Sequence, residues 1–281
     1  TTEIYTLSLH DALPILMLIG AFAAVVGSHL FGPWTGLVLG VCAGGVMGFL
    51  HAFMSVTIGA NQIISATAIN ILAVGIPNIL VPVFWPGHFG ISPTVRGIPE
   101  IRIPILADIP VLGRILGQHN PVVYIALVLV PVIHFLLFKT RLGLRIRAVG
   151  EHPRAADTLG VNVYRMRYIA VTISGLLAGL GGAFLSICYQ SQFSSSMTAG
   201  RGFIGLAAMI FGRWSPIGAM LACLLFGFAD AFQAGAQAAG VPIPPDLMLA
   251  FPYVLTLVAL VGLLGKTSAS PAANGKFYQK G

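Results

Sequence analysis

Long apolar runs broken by short polar ones dominate this chain. A bilayer-crossing helix needs about 20 predominantly apolar residues. Leu16–Phe31, Trp34–Phe53, Gln62–Phe84, Pro121–Phe138, Tyr168–Tyr189 and Leu247–Leu264 meet or approach that length. Around Phe84 the pattern changes. Residues 85–120 are rich in Pro and Gly and carry Arg96, Arg102 and Arg114 against Glu100 and Asp108, a net of three minus two, or +1. So weak a bias suits the extracytoplasmic side. Lys139–Arg167 is the opposite case, holding 7 of the chain's 15 Lys and Arg residues. Lys and Arg next to span ends are retained in the cytoplasm, so this loop is expected to be cytoplasmic and to orient its neighbours.

The basic loop contains its own helix signal. Pro153 suits a first helical position, where a missing N–H costs nothing, and Gly160 suits the left-handed residue that ends a helix. RAADTL between them makes about two turns. So short a helix is marginal alone. It is expected either to pack on the chain's own span ends or to be offered to a soluble partner.

Beyond Arg167 the number of crossings is constrained by the tail, residues 266–281, whose Lys266, Lys276 and Lys280 place it in the cytoplasm. Three crossings would leave that tail outside; four return it. Gly202–Gly235 is too long for one straight span, and it breaks at Gly212–Pro216. Arg213 then marks a cytoplasmic turn and Pro216 starts the next helix. The leading piece, Gly202–Phe211, is too short to cross and reads as a re-entrant segment, tolerated at membrane depth where it is buried or lines a cavity.

Two stretches resemble each other. Phe31, Gly32, Trp34, Gly48, Phe49, Ala52 and Phe53 correspond to Phe211, Gly212, Trp214, Gly227, Phe228, Ala231 and Phe232, with a one-residue shift. The topology runs these spans in opposite directions, as inverted repeats do. Chance recurrence of Gly and aromatic residues is the plainer alternative.

Composition agrees: 57% of residues are hydrophobic, 8% charged, and mean hydropathy is +0.91, against about 25% charged in soluble domains. The fold class is therefore an all-α polytopic membrane protein, with about seven transmembrane or re-entrant helices expected. The net charge of +7 sits in loops and tail, which points to orientation signals and membrane-lipid headgroups rather than nucleic acid. Cys42, Cys188 and Cys223 lie in apolar runs without paired or metal-ligand spacing. Tyr5–Ile15, YTLSLHDALPI, reads as a translated sequencing adapter. Residues 1–15 are accordingly expected to be non-native, with the transmembrane domain at 16–265 and one or more spans missing ahead of it.

Glycines at small-xxx-small spacing, Gly40, Gly44 and Gly48 and again Gly175 and Gly179, allow close helix approach. No stretch has the Lys and Ser or Thr of a P-loop, so the sequence carries no nucleotide-hydrolysis motif of that kind. Polar groups inside spans are costly, which singles out Asp230, Gln233 and Asn70. Asp230 and Gln233 either line a path or sit wet or paired near a span end. Phe193 and Met197, close to Gln190 and Gln192, suit stacking and hydrogen bonding to a flat base or ring. They equally suit a packed loop.

The runs AVGEHPRAADTLGVNVYRMR and MTAGRGFIGLAAMIFGRWSPIGAMLACLLFGFADAFQ resemble the membrane permease subunits of bacterial ABC importers, in the simple-sugar and nucleoside branch. The likeness runs from about Leu16 and is most specific between Lys139 and Gly262. It implies a multi-pass inner-membrane subunit, not an enzyme, that works by alternating access. Implied partners are an ABC ATP-binding subunit, a second permease chain, identical or related, and an extracytoplasmic substrate-binding protein. The chain itself would bind no cofactor and no metal; ATP and Mg would sit in the partner. The coupling role falls on Glu151, His152, Pro153, Arg154, Ala155, Ala156, Asp157, Leu159, Gly160 and Val161. Changing Arg154 or Ala156 is expected to uncouple hydrolysis without unfolding the chain. An ion-coupled secondary transporter built around Asp230 is one alternative; an intramembrane enzyme using Ser174, Ser186 and His134 is a weaker one.

Overall fold

The structure is a computed structural model that describes residues 6–102, 117–198 and 200–240, with side chains from residue 16. Its helices are α1 (Thr6–Phe31), α2 (Pro33–Ala52), α3 (Gln62–Phe84), α4 (Pro121–Lys139), α5 (Arg141–Glu151), α6 (Pro153–Thr158), α7 (Val163–Ala183), α8 (Arg201–Phe211) and α9 (Pro216–Ala238). Two of them widen at their ends into π-helical turns, α2 over Phe53–Thr57 and α7 over Phe184–Tyr189. Five described helices are long and apolar enough to cross a membrane, and Leu16–Phe31 is a shorter apolar one. The expected span at 247–264 and the tail lie outside the described residues.

α1, α2 and α7 form the centre. Gly48 faces Gly175, Gly44 faces Gly179 and Gly40 faces Ala183, a descending register that makes α2 and α7 antiparallel. A Cβ built on Gly175 would lie 2.5 Å from the Gly44 carbonyl oxygen. The two glycine stripes are therefore one interface. α1 closes on the same helices, with Gly20 against Gly179 and Gly27 against Gly36. Where the hydrophobic effect does little between spans, this close backbone contact supplies the attraction.

At the end of the bundle opposite the basic loop, residues 90–98 lie along 187–195 like an added strand. Ser92 N–H donates to the Phe193 carbonyl at 3.0 Å, Val95 N–H to Ser191 at 2.8 Å and Ile98 N–H to Ile187 at 3.1 Å. The π-helical turn just before lets the chain leave helical register here. Beneath this cap sits an apolar cluster containing Phe22, Val25, Trp85, Ile187 and Phe193. An antiparallel pairing of two two-residue strands, β1 (Ile101–Arg102) and β2 (Gln118–His119), precedes α4. Asn120 ends it: its amide donates to Ile98 O at 2.7 Å, and its Oδ1 accepts from Val122 N–H at 3.1 Å, capping α4.

The short segment at Gly202–Phe211 is α8, whose 11 residues span about 16 Å, roughly half the hydrocarbon core of ~30 Å. It ends at the expected break. Arg213 and Trp214 both take positive φ, 52° and 59°, and Ser215 caps α9 through Gly218 N–H at 3.1 Å. The similarity between the two halves has a local counterpart. Thr35 Oγ1 donates to Gly32 O at 2.7 Å and Ser215 Oγ to Gly212 O at 2.9 Å. Each hydroxyl stands three residues after the Gly of a Phe-Gly-x-Trp turn.

Candidate coupling surface and translocation path

The basic loop is mostly helical. α4 ends at Thr140, whose hydroxyl donates to Leu136 O at 2.5 Å and accepts from Gly143 N–H at 3.1 Å, capping α5. Leu142, Ile146 and Val149 then recur at helical spacing on one face of α5. That face packs against Val163, Met166 and Ala170 of α7. α5 lies where a loop is expected, because its three arginines obscure the apolar positions; their four- and three-residue spacing is the signal the sequence offers. Likewise α7 starts at Val163, earlier than the expected Tyr168, because Asn162 Oδ1 accepts from Arg165 N–H at 2.9 Å.

α6 rides on this platform. Ala156 is 3% exposed and belongs to the same cluster as Ile146 and Val163. Its role is thus internal: the expectation that Ala156 could be changed without disturbing the fold is corrected, because a larger or charged side chain has no room there. Pro153, Asp157 and Val161 are half-buried around it. Glu151, His152, Arg154, Ala155 and Gly160 are exposed, and Leu159 is 84% exposed at the helix end. Gly160 takes φ 79° there, a conformation that glycine adopts without strain. The result is a short helix held from below and bare on top, with a large apolar side chain at its tip.

The five path candidates are not gathered into one place. Phe193 is fully buried, edge-on to Phe22 at 5.4 Å between ring centroids, and Met197 is buried in the same cluster. In this conformation both side chains serve as packing under the cap and neither is open to a permeant. Asn70 is half-buried on α3, while Asp230 is exposed and Gln233 half-exposed on α9. α3 and α9 share no extensive interface. A groove of about 410 Å³ between α4 and α7 is lined by apolar side chains including Val122, Leu129, Ile133, Leu177 and Phe184. Lacking donors and acceptors, it does not suit a sugar or a base.

One further polar pair lies inside the spans. His51 of α2 is fully buried, and its Nδ1 lies 3.1 Å from Ser65 Oγ of α3. A histidine in an apolar run was the signal. Nearby, Thr57 and Tyr168 join their hydroxyls, tying α2's π-helical end to α7. Among the described residues no group of three or more His, Cys, Asp or Glu could hold a metal.

Known proteins match this chain in sequence along almost its whole length. The chain is 44% identical to the guanosine ABC transporter permease protein NupQ of Bacillus subtilis (strain 168), over 95% of this chain and 86% of that protein. It is 42% identical to the nucleoside ABC transporter permease protein NupC of Lactococcus lactis subsp. cremoris (strain MG1363), over 94% and 86%. A putative glucose ABC transporter permease protein of Haloferax volcanii is 33% identical over 87% and 80%. No solved structure matches the chain. The glycine-packed spans, the broken α8–α9 segment and the helical basic loop thus sit in a chain whose residues 12–260 match one family model, and the chain belongs to the family of branched-chain amino acid transport system / permease components.

Proposed function

We propose that this chain is the membrane permease subunit of an ATP-driven ABC importer that takes up nucleosides. The substrate class rests on the names of the two relatives above 40% identity, a guanosine and a nucleoside permease protein; simple sugars, suggested by the 33% relative, are the second reading. Membership in a permease family removes the grounds for an ion-coupled carrier or an intramembrane enzyme. ATP and Mg bind in a separate ATPase subunit, and a substrate-binding protein delivers the permeant on the other side. The basic loop faces the cytoplasm.

The observation that carries the coupling assignment is the bare upper face of α6. Leu159 at 84% exposure is costly in water and fits a partner's apolar groove. Arg154, exposed near the start of the same short helix, supplies the charge contact. The buried platform of Ile146, Val149, Ala156 and Val163 lets a push on α6 pass directly into α7. Two permease chains enclose the path, with Asp230 and Gln233 on an open side of α9 and Asn70 on α3 as its polar contributors. ATP-driven closure of the ATPase pair then shifts the population between outward- and inward-open states.

Co-purification tests this. The chain is extracted with its ATPase in mild detergent, beside an Arg154→Glu, Leu159→Asp double variant. The ATPase should travel with the wild type and be lost from the variant, with the variant's thermal unfolding unchanged. Retention of the ATPase by the variant would remove α6 as the contact, and a well-folded wild type without any ATPase would remove the importer reading.

A further inference from the structure

We infer that the elbow between α4 and α5 is a binding site for an anionic phospholipid headgroup, in the leaflet on the side of the basic loop. Lys139, Arg141 and Arg145 are all exposed, and Arg141 and Arg145 share one helix face at i, i+4. None of the three forms an ion pair with a described residue. Lys139 closes α4, while Arg141 and Arg145 stand in the opening turns of α5, whose positive dipole end disfavours cations; the first turn of α5 holds no acidic residue, and its one acid, Glu151, is at its far end. An external anion would relieve this concentration of charge.

The surroundings place that anion at a membrane boundary. α4 is apolar up to Phe138, so the chain leaves the hydrocarbon at Lys139. Leu144, 60% exposed, projects from α5 between Arg141 and Arg147 on the helix wheel. Arg147 lies on the α4 side, with its guanidinium 4.9 Å from the centroid of the Phe138 ring. Its Nε is buried and has no hydrogen-bond partner. An apolar tooth flanked by arginines is the pattern of a helix lying in the interface, its leucine among acyl chains and its cations among headgroups. The coupling face is separate, being carried by Arg154 and Leu159 on α6.

Lipid binding can be read directly. The chain is delipidated in detergent and titrated with phosphatidylglycerol, and bound lipid is counted by native mass spectrometry. An Arg141→Gln, Arg145→Gln variant should bind phosphatidylglycerol about thirtyfold more weakly, from about fivefold per cation removed. Leu144→Ser should weaken it as well, while phosphatidylethanolamine binding stays as in the wild type. Undiminished phosphatidylglycerol binding by the double variant would overturn the site. So would loss of a co-purifying ATPase from that variant with lipid binding intact, since the cations would then belong to the protein partner. The lipid titration needs no ATPase, so it stands even where the importer reading fails.

Discussion

Gly44 of α2 approaches Gly179 of α7 so closely that a Cβ on Gly44 would stand 2.6 Å from the Gly179 Cα. No real side-chain carbon occupies such a space, and the neighbour is backbone rather than a flexible side chain. Gly44→Ala should therefore force the helices apart and cost about 1–3 kcal/mol. Gly44→Leu should prevent recovery of folded chain. Gly75 on α3 has nothing within 4 Å of its would-be Cβ, so Gly75→Ala should be neutral. Thermal unfolding in detergent separates the three, and equal melting of Gly44→Ala and wild type would mean the glycine interface tolerates expansion.

The coupling candidates Arg154 and Ala156 should behave differently. Arg154 is exposed and Ala156 is enclosed by Ile146, Val149 and Val163. Arg154→Glu should leave the melting temperature unchanged and lower ATPase binding. Ala156→Asp buries an unpaired carboxylate, which costs about 3 kcal/mol or more, so folded yield should fall along with ATPase binding. Size-exclusion recovery measured beside ATPase retention distinguishes the two. Normal recovery of Ala156→Asp would show that α6 lifts off its platform easily.

Span positions were legible because a membrane helix has to satisfy its backbone within itself and bury apolar side chains over a fixed length. Gln62–Phe84 coincides with α3, and the break near Arg213 with the α8–α9 turn. α6 was also readable, since Pro153 and Gly160 mark its ends chemically. What escaped depended on partners distant in sequence. Phe193 looked like a path residue beside Gln190 and Gln192, but the strand-like pairing of residues 90–98 with 187–195 covers it, and nothing near Phe193 in sequence announces that pairing. The facing of the two glycine stripes was equally hidden: each stripe is visible alone, while their register needs both helices.

Ser92 holds the cap from both sides. Its N–H donates to the Phe193 carbonyl at 3.0 Å, and its Oγ accepts from the Phe193 N–H at 2.9 Å. Ser92→Ala would strand that buried N–H, at a cost of about 1–3 kcal/mol. The cap should loosen locally. Protease cleavage within residues 85–100 should speed up by at least tenfold, with a smaller change in global melting. Unchanged cleavage would mean that the backbone pairs at Val95 and Ile98 suffice to hold the segment.

Phe193 offers a decision between packing and substrate stacking. Its ring is fully buried against Phe22, so Phe193→Ala should cost about 3–5 kcal/mol through the cavity left behind. Phe193→Leu restores most of the apolar volume but removes the aromatic face. If the ring serves only the core, Phe193→Leu should recover stability and nucleoside uptake together, with KM for uptake near the wild-type value. A ring that stacks on the base during transport loses about 1–3 kcal/mol of base contact when replaced by leucine. KM would then rise at least fivefold in Phe193→Leu although its melting temperature is restored. The buried position in this structure leads us to expect the first result, with KM and stability returning together.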